Sequence, residues 1–276
     1  MALRSVLLAD EDDRLEGGQR PQARVLAGRD FVPERLFGLE LRVSAASFFQ
    51  VDTAAAEALF AAVARFCIAP LGDLLAAPAS EPAAPGSEPS LGEGGEGEAP
   101  TVLDLCCGTG AIALCVARLC GPAAMRAVRG IEICREAVLD AEANAAANGL
   151  EGLAQFHCAP AEGAIEGLLA REAEAAGAGG LVAVVDPPRG GLRPQVCEAL
   201  RRCSAVRRVV FVSCNPSGRF TRFDYVVKKG SLLENLVVLC GPGGEAAGLP
   251  FQISAARPVD MFPNTPHLEL VVALTR

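Results

Sequence analysis

VLDLCCGTGAIALCVA, residues 102–117, runs from a short apolar segment through an acid and a Gly-Thr-Gly turn into a second apolar segment. TVLDL has the length and composition of a buried strand, and GAIALCVARLC that of a helix. Gly108 and Gly110 allow a tight turn and close approach of backbone to a ligand. The helix that follows presents its free N–H groups to the same place. A strand, a glycine loop and a helix in this order form the nucleotide end of a parallel sheet. Gly108-x-Gly110-x-x-Ala113 also fits the dinucleotide fingerprint, so the loop alone leaves NAD open. Asp104, at the strand end, would repel a pyrophosphate and welcome the ammonium of an amino-acid-bearing cofactor. Glu132, closing RGIEI, is placed to accept both ribose hydroxyls and serves either cofactor.

Working outward, strand and helix signals alternate. AVRGIEI (127–133) is a second strand, and CREAVLDAEANAAANGL (134–150) a helix stopped at Gly149. AQFHCA (154–159) and LVAVVDPP (181–188) are a third and fourth strand, RPQVCEALRRC (193–203) a helix, and VRRVVFVSC (206–214) a fifth strand. The tail from Phe251 reads as two strands joined by a proline-rich bend. Upstream, LRVSAASFFQVD is a strand leading into a turn, and Thr53 opens an aliphatic core helix that Pro70 ends. This pattern predicts a doubly wound α/β fold with a mostly parallel sheet and an antiparallel C-terminal end. Residues 1–40 show no clear periodicity. Residues 76–100 hold five glutamates, no basic residue and much Pro, Gly, Ser and Ala. They read as a disordered acidic insertion looping out of a continuous fold.

The net charge of −8 argues against gripping nucleic acid by bulk electrostatics. Its distribution is uneven: residues 187–229 carry ten Lys and Arg against Glu198 and Asp224, which predicts a basic face around that segment. No apolar run approaches the ~20 residues of a membrane span. The acids near the start argue against a targeting peptide. Of eleven cysteines, several (Cys115, Cys120, Cys197) lie inside apolar segments without framework spacing. They read as reduced thiols of an intracellular protein, cytoplasmic or nuclear, with a mitochondrial place left open. Cys106, Cys107 and Cys214 lack metal-ligand spacing, and His157 reads as an ordinary strand histidine.

At the substrate end, Pro187 and Pro188 cannot continue a ladder and stiffen a loop after Asp186. One strand later, FVSCNP turns the chain sharply away from Cys214. VLDLCCGTG, GIEIC and VVDPPRGG, in that order, resemble the cofactor loops of S-adenosylmethionine-dependent methyltransferases. With FFQVD, FVSCNP and DMFPNTPHLE added, the chain from about Ser44 onward resembles the uracil-5 RNA methyltransferase family, most of all its eukaryotic tRNA branch.

The resemblance implies methylation of carbon 5 of a uridine in RNA, tRNA ahead of rRNA, with S-adenosyl-L-methionine as cofactor. It assigns Cys214 as nucleophile and Glu269 as base. It places Gln50, Asp104, Cys106, Gly108, Gly110, Glu132 and Asp186 at the cofactor; His267, two residues before the base, reads equally as an orienting group or as a turn residue. It divides the chain into a 1–43 N-terminal segment and a 44–276 catalytic domain. The short front implies that RNA docking calls on a protein partner or a further N-terminal RNA-binding module. A thiol nucleophile also calls for a lowered pKa, for which nearby arginines are the expected cause.

Overall fold

The computed structural model describes residues 5–8, 24–44, 47–76, 99–214, 216, 232–243 and 248–276. The acidic insertion lies almost wholly outside the described residues, as do Asn215 and the basic residues Arg219, Arg222, Lys228 and Lys229.

Two hairpins come first, β1 (Ser5–Leu8) with β2 (Arg24–Gly28) and β3 (Phe31–Leu36) with β4 (Leu39–Ser44). Helix α1 (Thr53–Ile68) starts where the Asp52 side chain accepts the Ala55 N–H at 2.9 Å. It stops before Pro70, and α2 (Leu71–Ala76) follows. The alternating part is β5 (Thr101–Leu105), α3 (Ala111–Ala124), β6 (Ala127–Glu132), α4 (Arg135–Ala147), β7 (Ala154–Cys158), α5 (Ala161–Ala176), β8 (Leu181–Val185), α6 (Pro194–Arg202) and β9 (Val206–Ser213). Then come α7 (Leu232–Cys240), β10 (Gln252–Val259) and β11 (Glu269–Thr275).

Seven strands form one sheet in the order β10-β11-β9-β8-β5-β6-β7. Pairings from β9 to β7 are parallel; β11 runs antiparallel to both β9 and β10. This is the expected doubly wound sheet with its antiparallel end. The central strands β5 and β8 are buried along their whole length, as strands covered on both faces must be. Alternate side chains serve opposite cores. Val102, Val184, Val210 and Val212 join α1, α3 and α4 on one face, while Leu103, Leu105, Val185 and Phe211 join α5 and α6 on the other.

Leu36, Leu39 and Leu41 of the second hairpin are buried in the same cluster as α1, so the packed unit reaches upstream of Ser44. Its turn uses Phe37 and Gly38, both at positive φ, and the Phe37 N–H donates to Glu57 of α1 at 2.8 Å.

Five of the described arginines expected on a basic face do not gather around Cys214. Arg201 is buried and donates to the Gly248 and Val238 carbonyls. Arg193 pairs with Glu162, and Arg202 with Glu166 and Glu198. Arg208 donates to the carbonyls of Phe66, Cys67 and Ala69 at the end of α1. Arg207 and Arg208 also open β9, so at ~3.3 Å per residue they stand ~20 Å from its Cys214 end. The charge count was right, but these charges serve helix ends and inter-helix pairs.

Candidate active site

The register of the last strands assembles the first part of the site. Leu270 pairs with Ser213 across the antiparallel β9–β11 ladder, which sets Glu269 opposite Cys214. Because β11 is reversed, its first residue shares an edge with the carboxyl ends of the parallel strands. Asp186 follows β8 on that edge, and its N–H reaches the Leu105 carbonyl of β5 at 3.5 Å. Residues 55 positions apart in sequence thus meet at one point of the fold.

Glu269 is 3% exposed, and its Oε2 has no hydrogen-bond partner. Burial first, and Asp186 second, push its carboxyl up to about 8. Burial pushes Asp186 up to about 7. Cys214 is half-buried, and its thiol is raised, not lowered as expected. Burial is the main cause, followed by Glu269 and Asp186; Arg189 pulls the other way and is outweighed. The arginine effect is present, but burial and the two neighbouring carboxyls together outweigh it.

The second part is the loop after β5. Cys106 takes positive φ, and the N–H groups of Cys106 and Cys107 both donate to the Ile131 carbonyl, at 2.9 and 3.0 Å. Glu132 clasps the loop: its Oε2 accepts the Gly108 N–H at 3.1 Å and its Oε1 the Cys134 N–H at 2.8 Å. Both carboxylate oxygens therefore have a backbone duty besides any ligand, with lone pairs to spare. Gly110, at φ 77°, has no room for a side chain, since a Cβ would meet Phe156 at 2.8 Å. Gly108 is the reverse case: at φ 54° a Cβ there would meet nothing within 4 Å. The loop is packed beneath Gly110 and open above Gly108, which is a cradle.

Asp104 belongs to β5, the strand that leads into that cradle. It is fully buried; its Oδ2 accepts the Ala113 N–H of α3 at 3.1 Å, and its Oδ1 has no partner. Burial, then Asp186, raise its pKa well above the carboxylate range. Cys106 is likewise pushed up to about 12 by burial and the surrounding acids, so its thiol is inert at neutral pH. Gln50 is buried in the loop that leads into α1. His267 sits edge-on to Phe262, with ring centroids 6.5 Å apart, in the bend between β10 and β11. That bend is held by the Thr265 hydroxyl donating to the Phe262 carbonyl at 2.7 Å and by Asn264 at positive φ.

Sequence reasoning overlooked the polar face of α4. Asp140, Asn144 and Asn148 project at four-residue intervals from an otherwise alanine-rich helix, and that spacing was the available signal. Among the described residues no group of His, Cys, Asp and Glu could hold a metal, and no helix is long and apolar enough to cross a membrane.

The strand order, the Gly108–Gly110 cradle and the acids at the strand ends define a fold of the S-adenosylmethionine-dependent methyltransferase type. In solved structures the same fold recurs in the Pyrococcus abyssi tRNA (uracil-54, C5)-methyltransferase in complex with S-adenosyl-L-homocysteine, at TM-score 0.61 and 23% identity, covering 100% of this chain and 51% of that one. It recurs in a SAM dependent methyltransferase from Agrobacterium tumefaciens at TM-score 0.50 and 16% identity, covering 98% and 76%. No family model matches the chain. It is 37% identical over 252 residues to the tRNA (uracil-5-)-methyltransferase homolog A of Mus musculus, covering 91% of this chain and 33% of that protein. To homolog B of the same species it is 35% identical over 261 residues, covering 94% and 43%. Over nine-tenths of its length the chain is similar to these tRNA (uracil-5-)-methyltransferase homologs, and it spans less than half the length of either.

Proposed function

We propose that the chain methylates carbon 5 of a uridine in RNA, tRNA in particular, with S-adenosyl-L-methionine as cofactor. The observation that carries this reading is the Cys214–Glu269 pairing at the sheet edge, with an unpartnered carboxylate oxygen beside a half-buried thiol. The names of the relatives support the substrate class.

The residues present fit the cofactor. The space over Gly108 admits a ligand against bare backbone, and the buried Asp104 Oδ1 has no hydrogen-bond partner among the described residues. Glu132, Gln50, Cys106, Gly110 and Asp186 would complete the holding set. A cation suits this edge, because positive charge among Asp104, Asp186 and Glu269 favours their ionised forms. When bound, the cofactor supplies an electrophilic methyl group.

The chain's own residues prepare and finish the reaction. Cys214, as thiolate, adds to carbon 6 of the uracil and makes carbon 5 nucleophilic. Once carbon 5 is methylated, ionised Glu269 removes its proton, and the electrons of that C–H bond expel the Cys214 thiolate. A base within a folded RNA must first be flipped out, at a cost of a few kcal/mol.

The test uses 5-fluorouridine-substituted tRNA with S-adenosyl-L-methionine, followed by denaturing electrophoresis. Fluorine does not leave as the carbon-5 proton does, so the adduct is trapped. A shifted band that needs both the cofactor and Cys214, and is lost in Cys214→Ala, is the expected result. A band that persists in Cys214→Ala refutes the mechanism. Cofactor binding without any band points to a cofactor-binding module that needs a further RNA-docking part or performs no chemistry.

A further inference from the structure

The polar face of α4 acts as a strand. Along a helix, four residues advance about 6 Å; along a strand, two residues advance about 6.7 Å. Side chains at positions 148, 144 and 140 therefore keep step with backbone at 40, 42 and 44 of β4, running in the opposite sense. The Glu40 N–H donates to Asn148 Oδ1 at 2.9 Å, and Asn148 Nδ2 donates back to the Glu40 carbonyl at 2.8 Å. The Arg42 N–H donates to Asn144 Oδ1 at 2.7 Å, and Asn144 Nδ2 returns to the Arg42 carbonyl at 3.1 Å. Each carboxamide replaces the peptide group of a missing neighbouring strand. Asp140 ends the series by accepting the Ser44 N–H at 2.9 Å, the Arg42 guanidinium at 2.8 Å and the Ser47 hydroxyl at 3.2 Å.

Asn144 does one thing more. Its Nδ2 also donates to the carbonyl of Thr109, the middle residue of the Gly-Thr-Gly loop, at 3.1 Å. It is 1% exposed, so these bonds have no competition from water. One turn away, Asp140 grips Ser47, three residues before Gln50. We infer that Asn144 is a positioning residue that couples the β3–β4 hairpin to the cofactor loop, so that the Gln50 segment and the Gly108–Gly110 cradle are held in one register. It would tune cofactor affinity without touching the cofactor. The ligand part of this inference rests on the function proposed above; the coupling does not.

Asn148 is the internal control, because it makes the same two bonds to β4 and none to the loop. Asn144→Ala and Asn148→Ala, in the full chain, are compared by calorimetric titration with S-adenosyl-L-homocysteine, by thermal melting and by amide hydrogen exchange resolved by segment. Asn144→Ala is expected to bind about tenfold more weakly, as loss of a buried hydrogen bond implies, and Asn148→Ala within about threefold of the parent, while both lower the melting temperature. Exchange should quicken at 39–44 in both variants and at 108–110 in Asn144→Ala alone. Equal weakening in the two variants, or unchanged affinity in Asn144→Ala, overturns the inference. If the parent chain binds no S-adenosyl-L-homocysteine, the cofactor reading fails and exchange alone decides: protection at 108–110 that survives Asn144→Ala overturns the coupling. Asn144→Ser replaces Asn144→Ala if the latter does not fold.

Discussion

Glu269→Gln should stabilise the fold at alkaline pH while abolishing turnover. The carboxyl is raised from 4.5 to about 8 by burial and by Asp186. An acid whose folded-state pKa lies above its unfolded one contributes stability that is fully present below about pH 4.5 and is lost as pH rises to about 8. At about 1.4 kcal/mol for each tenfold, the loss approaches about 4 kcal/mol near pH 8, most of it accrued above pH 5. Glutamine has nearly the same shape and no charge to desolvate, so it escapes the loss. Urea unfolding of both proteins at pH 5 and pH 8.5 checks this. The two should be within about 1 kcal/mol at pH 5, with the variant ahead by about 3 kcal/mol at pH 8.5. In an Asp186→Asn background the gap should narrow, because the second cause of the shift has gone. Parallel stability curves across this range, or a variant less stable at pH 8.5, would refute the burial argument.

Methyl transfer should rise through pH 7 to 9, since both Cys214 and Glu269 work deprotonated and both are raised; a flat profile from pH 6 upward would contradict the assigned roles. Gly130→Ala should cost about 1–3 kcal/mol by overpacking, because its Cβ would lie 2.4 Å from Phe156 and 2.8 Å from Cys107 Sγ. A double-mutant cycle with Phe156→Ala should recover part of that loss, and simple additivity would refute the contact. Arg208→Met, read by chemical denaturation, should lose about 1–3 kcal/mol by leaving three carbonyls at the end of α1 without their donor.

How much of this was legible in the sequence depended on whether the signal was local. The cradle was readable because Asp104, Gly108 and Gly110 sit within seven residues, and the helix stops at Pro70 and Gly149 held because those residues act through their own backbone. Helix α5 had no clear signature: Gly163 and Gly167 interrupt a run of Ala and Glu, and only Ile165, Leu168 and Leu169 mark its buried face. Cys214 and Glu269 were placed by resemblance, since no spacing rule joins residues whose meeting depends on a strand inserted in reverse between β9 and β10. The direction of the thiol shift failed for a related reason. Charge along the chain could be counted, but the burial that mainly raises the thiol, and the carboxyls that add to it from two other strands, depend on the fold. Asn144 was passed over because an asparagine on a helix reads as surface until its two backbone partners, 102 and 35 residues away, are known.

The chain leaves α2 at Ala76 and returns at Ala99 toward β5 at the end of the sheet where Arg207 and Arg208 begin β9, since Leu71, Ala99, Pro100 and both arginines line one cavity there. The Cys214–Glu269 pairing lies at the other end of the same strands. This junction is therefore a natural splice point. A purification handle, a fluorophore or an RNA-binding module could be grafted between these residues with little entropic penalty, because closure cost grows only slowly with loop length. The far side of the sheet thus offers a place to add a module while leaving the Cys214–Glu269 edge untouched.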